Sequence, residues 1–101
     1  MNRVTLCART TKELELKTTE NGRKYVNFSL AIEQTKDRTD FVNCTAWGKT
    51  AEFMCNYMKE KGTRILCEGH LVVNKYEKDG VKHQVIGVVA DRVEFADGRK
   101  Q

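Results

Sequence analysis

One segment of this chain spaces its apolar residues differently from the rest, and that difference limits the fold more than any other feature. In residues 49–59, the apolar side chains of Ala51, Met54, Cys55 and Met58 recur at helical spacing. The flanking segments instead alternate apolar and polar residues with the period of two typical of strands: residues 2–9, 24–34, 40–49, 63–76 and 81–90. The pattern therefore predicts three strands, one helix and two further strands.

Turn residues separate these segments where the chain must reverse direction. Asn21-Gly22 and Asp79-Gly80 are typical of tight hairpin turns, because such turns require a positive φ at their central positions. Gly62 fits the end of the predicted helix. The strands should therefore pair mainly as antiparallel hairpins.

The predicted element order describes a particular all-β architecture. Five bent strands with one helix between the third and fourth are typical of the OB-fold, a five-stranded Greek-key barrel. Such a barrel needs glycines or bulges at its corners, and Gly69 and Gly87 are placed to supply them. We expect one OB-fold domain over residues 1–96 and a short polar tail over residues 97–101.

Residues 40–49 form a strand with two contrasting faces. Phe41 and Trp47, the chain's only Trp, share one face with polar residues, and Lys49 follows at the strand end. Aromatic rings beside a cation, on the face opposite the core, are what a platform for stacking nucleic-acid bases requires. The other face carries small apolar residues that suit a core: Val42, Cys44 and Ala46.

The composition is that of a folded, mildly basic domain. Of 101 residues, 40% are hydrophobic and 32% are charged, which excludes a disordered chain. The 18 basic and 14 acidic residues give a net charge of +4, compatible with a nucleic-acid partner or simply with solubility. No apolar run could span a bilayer and no secretory segment is present, so we expect a cytoplasmic protein with no membrane partner.

The cysteines and histidines match no common metal or catalytic motif. A zinc set of Cys55, Cys67, His70 and His83 contains one pair at ligand-like spacing, but the wider spacing fits no known module. No framework for nucleophilic or acid–base catalysis is present, so we expect no metal, no cofactor and no enzyme activity. Three free cysteines are expected to be buried as small hydrophobic residues: Cys7, Cys44 and Cys67.

Several segments match the pattern of one known family in order and spacing, among them Asn2-Arg3-Val4-Thr5-Leu6, Phe28-Ser29-Leu30-Ala31, Asp40-Phe41-Val42-Asn43-Cys44, Trp47-Gly48-Lys49, Leu66-Cys67-Glu68-Gly69 and Val88-Val89-Ala90-Asp91. Over nearly its whole length, the chain resembles the bacterial-type single-stranded DNA-binding proteins. The resemblance implies a non-enzymatic, sequence-independent protein that binds and organises single-stranded DNA in replication, recombination and repair. It also implies a location at the bacterial or phage nucleoid.

The resemblance also implies which side chains contact DNA. Bases would stack on Phe41, Trp47 and Tyr76, the first two being the aromatic pair that the strand alternation already indicates. The loop that often carries a further aromatic in the family holds cations here, which predicts fewer stacked bases and a steep loss of affinity with salt. Phosphates would be bound by five basic residues: Arg3, Lys36, Arg38, Lys49 and Lys75.

Assembly and partners follow from the same resemblance. Family members are usually homotetramers of dimers that pair their first strands edge to edge, so we expect a homotetramer, with a dimer as the alternative. The family's glycine-rich tail with an acidic tip, which recruits replication and repair proteins, is absent from the sequence. Three explanations for the absent tail remain open: a trimmed core, a short natural form from a phage or mobile element, or a tail-less replication relative.

Two other functions remain open at this point. One is a dimeric primosome-type OB protein that binds single strands while bridging a helicase loader. The other is an RNA-binding OB module, which would prefer RNA and respond to the 2′-hydroxyl.

Overall fold

Six strands and one helix follow one another along residues 1–96, the part of the chain that the computed structural model describes. The expected polar tail over residues 97–101 lies outside the described residues. The elements are β1 (Val4–Thr10), β2 (Lys17–Thr18), β3 (Lys24–Thr35), β4 (Arg38–Trp47), α1 (Gly48–Tyr57), β5 (Arg64–Lys78) and β6 (Val81–Phe95).

The five long strands close into a barrel. β1 pairs with β5, β5 with β6 and β3 with β4, all antiparallel, whereas β4 and β6 are parallel. Pairing of β1 with β3 through Arg9 and Thr10 completes the ring. The short β2 is an addition to the rim of β3. The predicted OB-fold, with its helix between the third and fourth long strands, is confirmed.

The core forms where the inward faces of the strands meet one face of α1. Val26, Leu30 and Ile65 are fully buried within the barrel. Met54 of α1 and Met58, the residue that follows the helix, are buried in the same cluster. This agrees with the two spacings in the sequence, period two in the strands and about 3.6 in the helix. In residues 1–96, no helix is long and apolar enough to cross a membrane.

The predicted bulge at Gly69 is confirmed and has a steric cause. The pairing of β5 with β6 shifts register between Glu68 and Gly69, which leaves Asp91 as an extra residue on β6. A Cβ atom at position 69 would overlap the carbonyl oxygen of Val89, so only glycine fits there without a backbone shift. Gly87, by contrast, pairs with Val72 in an unbroken register.

The cysteine prediction is correct at two positions and wrong at one. Cys44 and Cys67 are buried in the barrel core, where a hydrogen bond to Cys67, reinforced by burial, raises the pKa of the Cys44 thiol. Cys7 is exposed. The reason is alternation, because Ala8 faces the core and its strand neighbour must therefore face outward.

β5 and β6 extend beyond the barrel as a two-stranded ribbon, which we call the arm (residues 73–86). Every residue of the arm is exposed. Its tip is the predicted Asp79-Gly80 turn, in which both residues have a positive φ, of 53° and 79°. The arm therefore projects from the barrel with little packing of its own.

Candidate nucleic-acid interface

The outer face of β4 presents aromatic and polar side chains, as predicted. Phe41 is 66% exposed and Trp47 is half-buried, whereas Cys44 and Ala46, which alternate with them, lie in the core. Between the two rings, Asn43 and Thr45 fill the same outer face. The division of β4 into a core face and an outer face is confirmed.

The middle of this outer face, at Asn43 and Thr45, forms the floor of an open groove with a volume of about 320 Å³, and neither Phe41 nor Trp47 lines it. Polar side chains of β3 and β4 line the floor, and within it the Thr45 hydroxyl donates a 2.9 Å hydrogen bond to Oδ1 of Asn27. Lys12, from the loop after β1, also lines the groove. The opposite wall is formed by the base of the arm: Val72, Asn74, Val85 and Gly87.

Tyr76 lies further out along the arm than the residues that line this groove, and it borders a separate open depression. Val72 and Asn74 line the groove, and alternation turns Tyr76, two residues further along β5, to the same side of the strand. Tyr76 is 49% exposed and stacks on its cross-strand partner His83, with ring centroids 5.1 Å apart and planes inclined by 19°. Lys75 borders the same depression on the arm as Tyr76.

Trp47 lies in a cluster that the sequence analysis did not identify. The register of β3 and β4 sets Tyr25 directly opposite Trp47, and the two ring centroids are 5.2 Å apart. The guanidinium carbon of Arg23 lies over the indole, 4.1 Å from its centroid. Arg23 precedes β3, and Tyr25 pairs with Trp47 only because the register shifts between Glu33 and Thr35, so counting pairs from the loop would not have found either neighbour.

Two of the five expected phosphate ligands are already paired with carboxylates. Arg38 binds both oxygens of Asp40, at 3.1 and 3.2 Å, and these hydrogen bonds lower the pKa of the Asp40 carboxyl. Arg3 lies 3.7 Å from Glu68. The other three expected cations are exposed and form no ion pair within residues 1–96: Lys36, Lys49 and Lys75.

The histidines lie apart from each other and have different partners. His70 Nδ1 is 2.9 Å from Asp91 beside the bulge, whereas His83 stacks on Tyr76 in the arm. Within residues 1–96, no three His, Cys, Asp or Glu side chains come together as a metal-binding group.

Comparison with known proteins identifies the family to which this barrel belongs. Residues 1–96 match the single-strand binding protein family. The chain belongs to this family. It is 39% identical over 107 residues to a single-stranded DNA-binding protein of Fusobacterium nucleatum subsp. nucleatum, with 98% of this chain and 69% of that protein covered.

Further relatives of the family carry the same description. A single-stranded DNA-binding protein of Clostridium tetani is 42% identical over 109 residues, covering all of this chain and 74% of the relative. One from Bacillus cereus is 39% identical over 106 residues, covering 98% of this chain and 62% of the relative. The chain thus spans roughly two thirds of the length of these family members.

Proposed function

We propose that this chain is a non-enzymatic protein that binds single-stranded DNA without regard to sequence. The observation that carries the proposal is the outer face of β4, on which Phe41 and Trp47 flank the polar floor of the groove. Tyr76 lies further along β5, the strand that forms the opposite wall. Membership of the single-strand binding protein family supports it. In the cell, the protein would protect and organise single strands at the nucleoid during replication, recombination and repair.

Stacking supplies the contact with the bases. Each base that stacks on Phe41, Trp47 or Tyr76 should contribute about 1–3 kcal/mol, and it does so for any base because all four have a π-face. The exposed ring of Phe41 is open to stacking, whereas the Trp47 ring is held by neighbours that fix its orientation. The three rings would bind successive or spaced bases of a strand that runs from the outer face of β4 to the arm.

Cations supply the contact with the backbone. Lys36 and Lys49 are the strongest candidates, because both are exposed and free of ion pairs within residues 1–96. Lys75 likewise forms no ion pair within residues 1–96, and it would contact a phosphate that passes beside the arm. Arg3 and Arg38 would first have to give up their carboxylate partners, Glu68 and Asp40 respectively, before they could bind phosphate. This exchange reduces the net binding free energy that each contributes.

The proposal includes self-association through β1, with a homotetramer as the expected state and a dimer as the alternative. β1 pairs along its length with β5 but meets β3 only at Arg9 and Thr10. Residues 4–8 therefore present one unpaired backbone edge within the described chain, the kind of edge to which a second copy can add a strand. Light scattering coupled to size exclusion measures the mass directly, and a monomer would contradict the proposed assembly.

A competition between three nucleic acids tests the proposed function. Binding of fluorescein-labelled oligo-dT is measured by anisotropy at two salt concentrations and compared with oligo-U and duplex DNA of equal length. We expect oligo-dT to bind more tightly than duplex, with a steep loss of affinity as salt rises. Preference for oligo-U would favour the RNA-binding alternative, and failure to bind any of them would refute nucleic-acid binding altogether. Replication and repair proteins remain proposed partners, to be tested with the DNA-bound chain.

A further inference from the structure

We propose that Arg23 is a further DNA-binding residue, which leaves the Trp47 ring when a base stacks there and pairs with a phosphate of the same strand. The inference rests on the proposed function, since it takes Trp47 to be a stacking residue. Neither strand alternation nor the family pattern indicates Arg23 as a DNA-binding cation. Its side chain is the group that must move when a base stacks on Trp47.

A stacked base and the Arg23 guanidinium would compete for the same face of the Trp47 indole. The guanidinium carbon of Arg23 lies 4.1 Å from the ring centroid, which is the contact distance of a stacked group. A nucleobase stacks at a similar distance, so the base and the guanidinium cannot occupy the same ring face together. Tyr25 packs against the indole as well, with its centroid 5.2 Å away. A base that takes the face under Arg23 must therefore displace the guanidinium.

The Arg23 side chain is free to make that movement while its backbone is fixed. The Arg23 N–H donates to the Thr19 hydroxyl at 3.1 Å, and the Arg23 carbonyl accepts from the Thr19 N–H at 2.8 Å. The side chain is exposed and, within residues 1–96, forms no ion pair. Its contact with the indole is the kind of exposed cation–π interaction that is weak.

A phosphate is the chemically appropriate partner for the displaced guanidinium. Every stacked base brings a phosphate with it, and the planar fork of arginine can donate two parallel hydrogen bonds to phosphate oxygens. The neighbouring cation, Lys24 at the start of β3, already has a carboxylate partner, because its Nζ lies 3.9 Å from Glu52 on α1. Arg23 is therefore better placed than Lys24 to pair with the phosphate of a base on Trp47.

A purely structural role for Arg23 makes a different prediction. If Arg23 only held the indole in place, its removal would loosen Trp47 and weaken binding by the same factor at every salt concentration. If Arg23 gives up the ring to bind a phosphate, its removal takes away one phosphate contact and also one competitor for the ring. The salt dependence of binding separates these two roles.

The experiment measures the affinity for oligo-dT from low to high salt for the wild-type chain and three variants. Arg23→Gln removes the charge, and Arg23→Lys keeps it. Lys59→Gln removes an exposed charge just beyond the far end of α1 from Trp47, as a matched control. Thermal unfolding of each variant verifies that it is folded.

We expect Arg23→Gln to lower the slope of log K against log salt by roughly 0.7, the value for one phosphate on a single strand. Arg23→Gln should bind more weakly than wild type at low salt, yet equally or more tightly at high salt, because the ring face is then uncovered. Arg23→Lys and Lys59→Gln should keep the wild-type slope. An unchanged slope for Arg23→Gln, or a uniform loss at all salt concentrations, would overturn the proposal. Failure of the wild-type chain to bind oligo-dT would instead refute the proposed function.

Discussion

The two faces of β4 are built from neighbouring residues and yet have opposite properties. Facing inward, Cys44 and Ala46 are small, apolar and at most 3% exposed. Facing outward, Phe41 is 66% exposed and Trp47 is half-buried beneath the Arg23 guanidinium. Burying a ring stabilises a fold, so a strand that leaves Phe41 largely exposed and Trp47 only half-buried has a face suited to binding. Neighbouring residues of β4 can therefore contribute to different properties, one to the core and the next to a binding surface.

If the two faces of β4 serve different purposes, a substitution in the core should lower stability without changing the affinity for DNA. Leu30, which is fully buried and pairs with Val42 of β4, is the test position. Leu30→Ala should reduce the free energy of unfolding by about 2–5 kcal/mol, because it leaves a cavity in the barrel. Chemical denaturation measures this loss, and anisotropy at low temperature should find the oligo-dT affinity of the folded protein nearly unchanged. A large loss of affinity in the folded variant would break the comparison.

Trp47 should show the reverse behaviour. Trp47→Ala should weaken oligo-dT binding by about 1–3 kcal/mol, because one stacking ring is lost, and should lower stability less than Leu30→Ala does. Anisotropy with labelled DNA measures the affinity. The matched control is Phe53→Ala on α1, which removes a ring that is 37% exposed and packs against Tyr57 of the helix instead of lying on the outer face of β4. Equal losses of affinity for the two variants would mean that Trp47 has no special role.

A smaller effect should distinguish two cations near the loop between β3 and β4. Lys36→Ala should lower the salt slope of binding by up to about 0.7, whereas Arg38→Ala should lower it by less. The physical reason is that Arg38 is already bound to both oxygens of Asp40. Binding isotherms at four or more salt concentrations give both slopes. A larger effect for Arg38 would show that DNA displaces Asp40 readily.

The smallest expected effect concerns acid stability. Because the folded state lowers the pKa of Asp40, this carboxylate stabilises the fold at neutral pH, and the contribution is lost as pH falls through its folded pKa, below about 4. Asp40→Asn should therefore flatten the fall in melting temperature over that acid range. Thermal unfolding between neutral pH and pH 2 measures the difference. A curve parallel to that of wild type would assign the acid dependence to other groups.

The barrel and the two faces of β4 could be predicted because both follow from local spacing. The change from period two to helical spacing over residues 49–59 fixed the element order, and alternation alone separated Phe41 and Trp47 from the core. Gly69 was predicted as a bulge because strands seldom contain glycine without a steric reason.

The features missed from the sequence depend on pairing between distant segments. Tyr25 is opposite Trp47 only once the register of β3 and β4 is known, and Arg23 reaches the ring from the turn before β3. The carboxylate partners of Arg3 and Arg38, and the stacking of His83 on Tyr76, likewise require coordinates. Charge and residue type alone could not say which cations are free to bind phosphate.

The most direct test of the central claim uses the fluorescence of Trp47, the chain's only Trp. The wild-type protein is titrated with oligo-dT while tryptophan emission and the anisotropy of labelled DNA are recorded in parallel. We expect the emission to fall and to saturate at the same DNA concentration as the anisotropy, because bases stack on Trp47. Tight binding by anisotropy with unchanged tryptophan emission would place the DNA elsewhere and contradict the assignment of the outer face of β4.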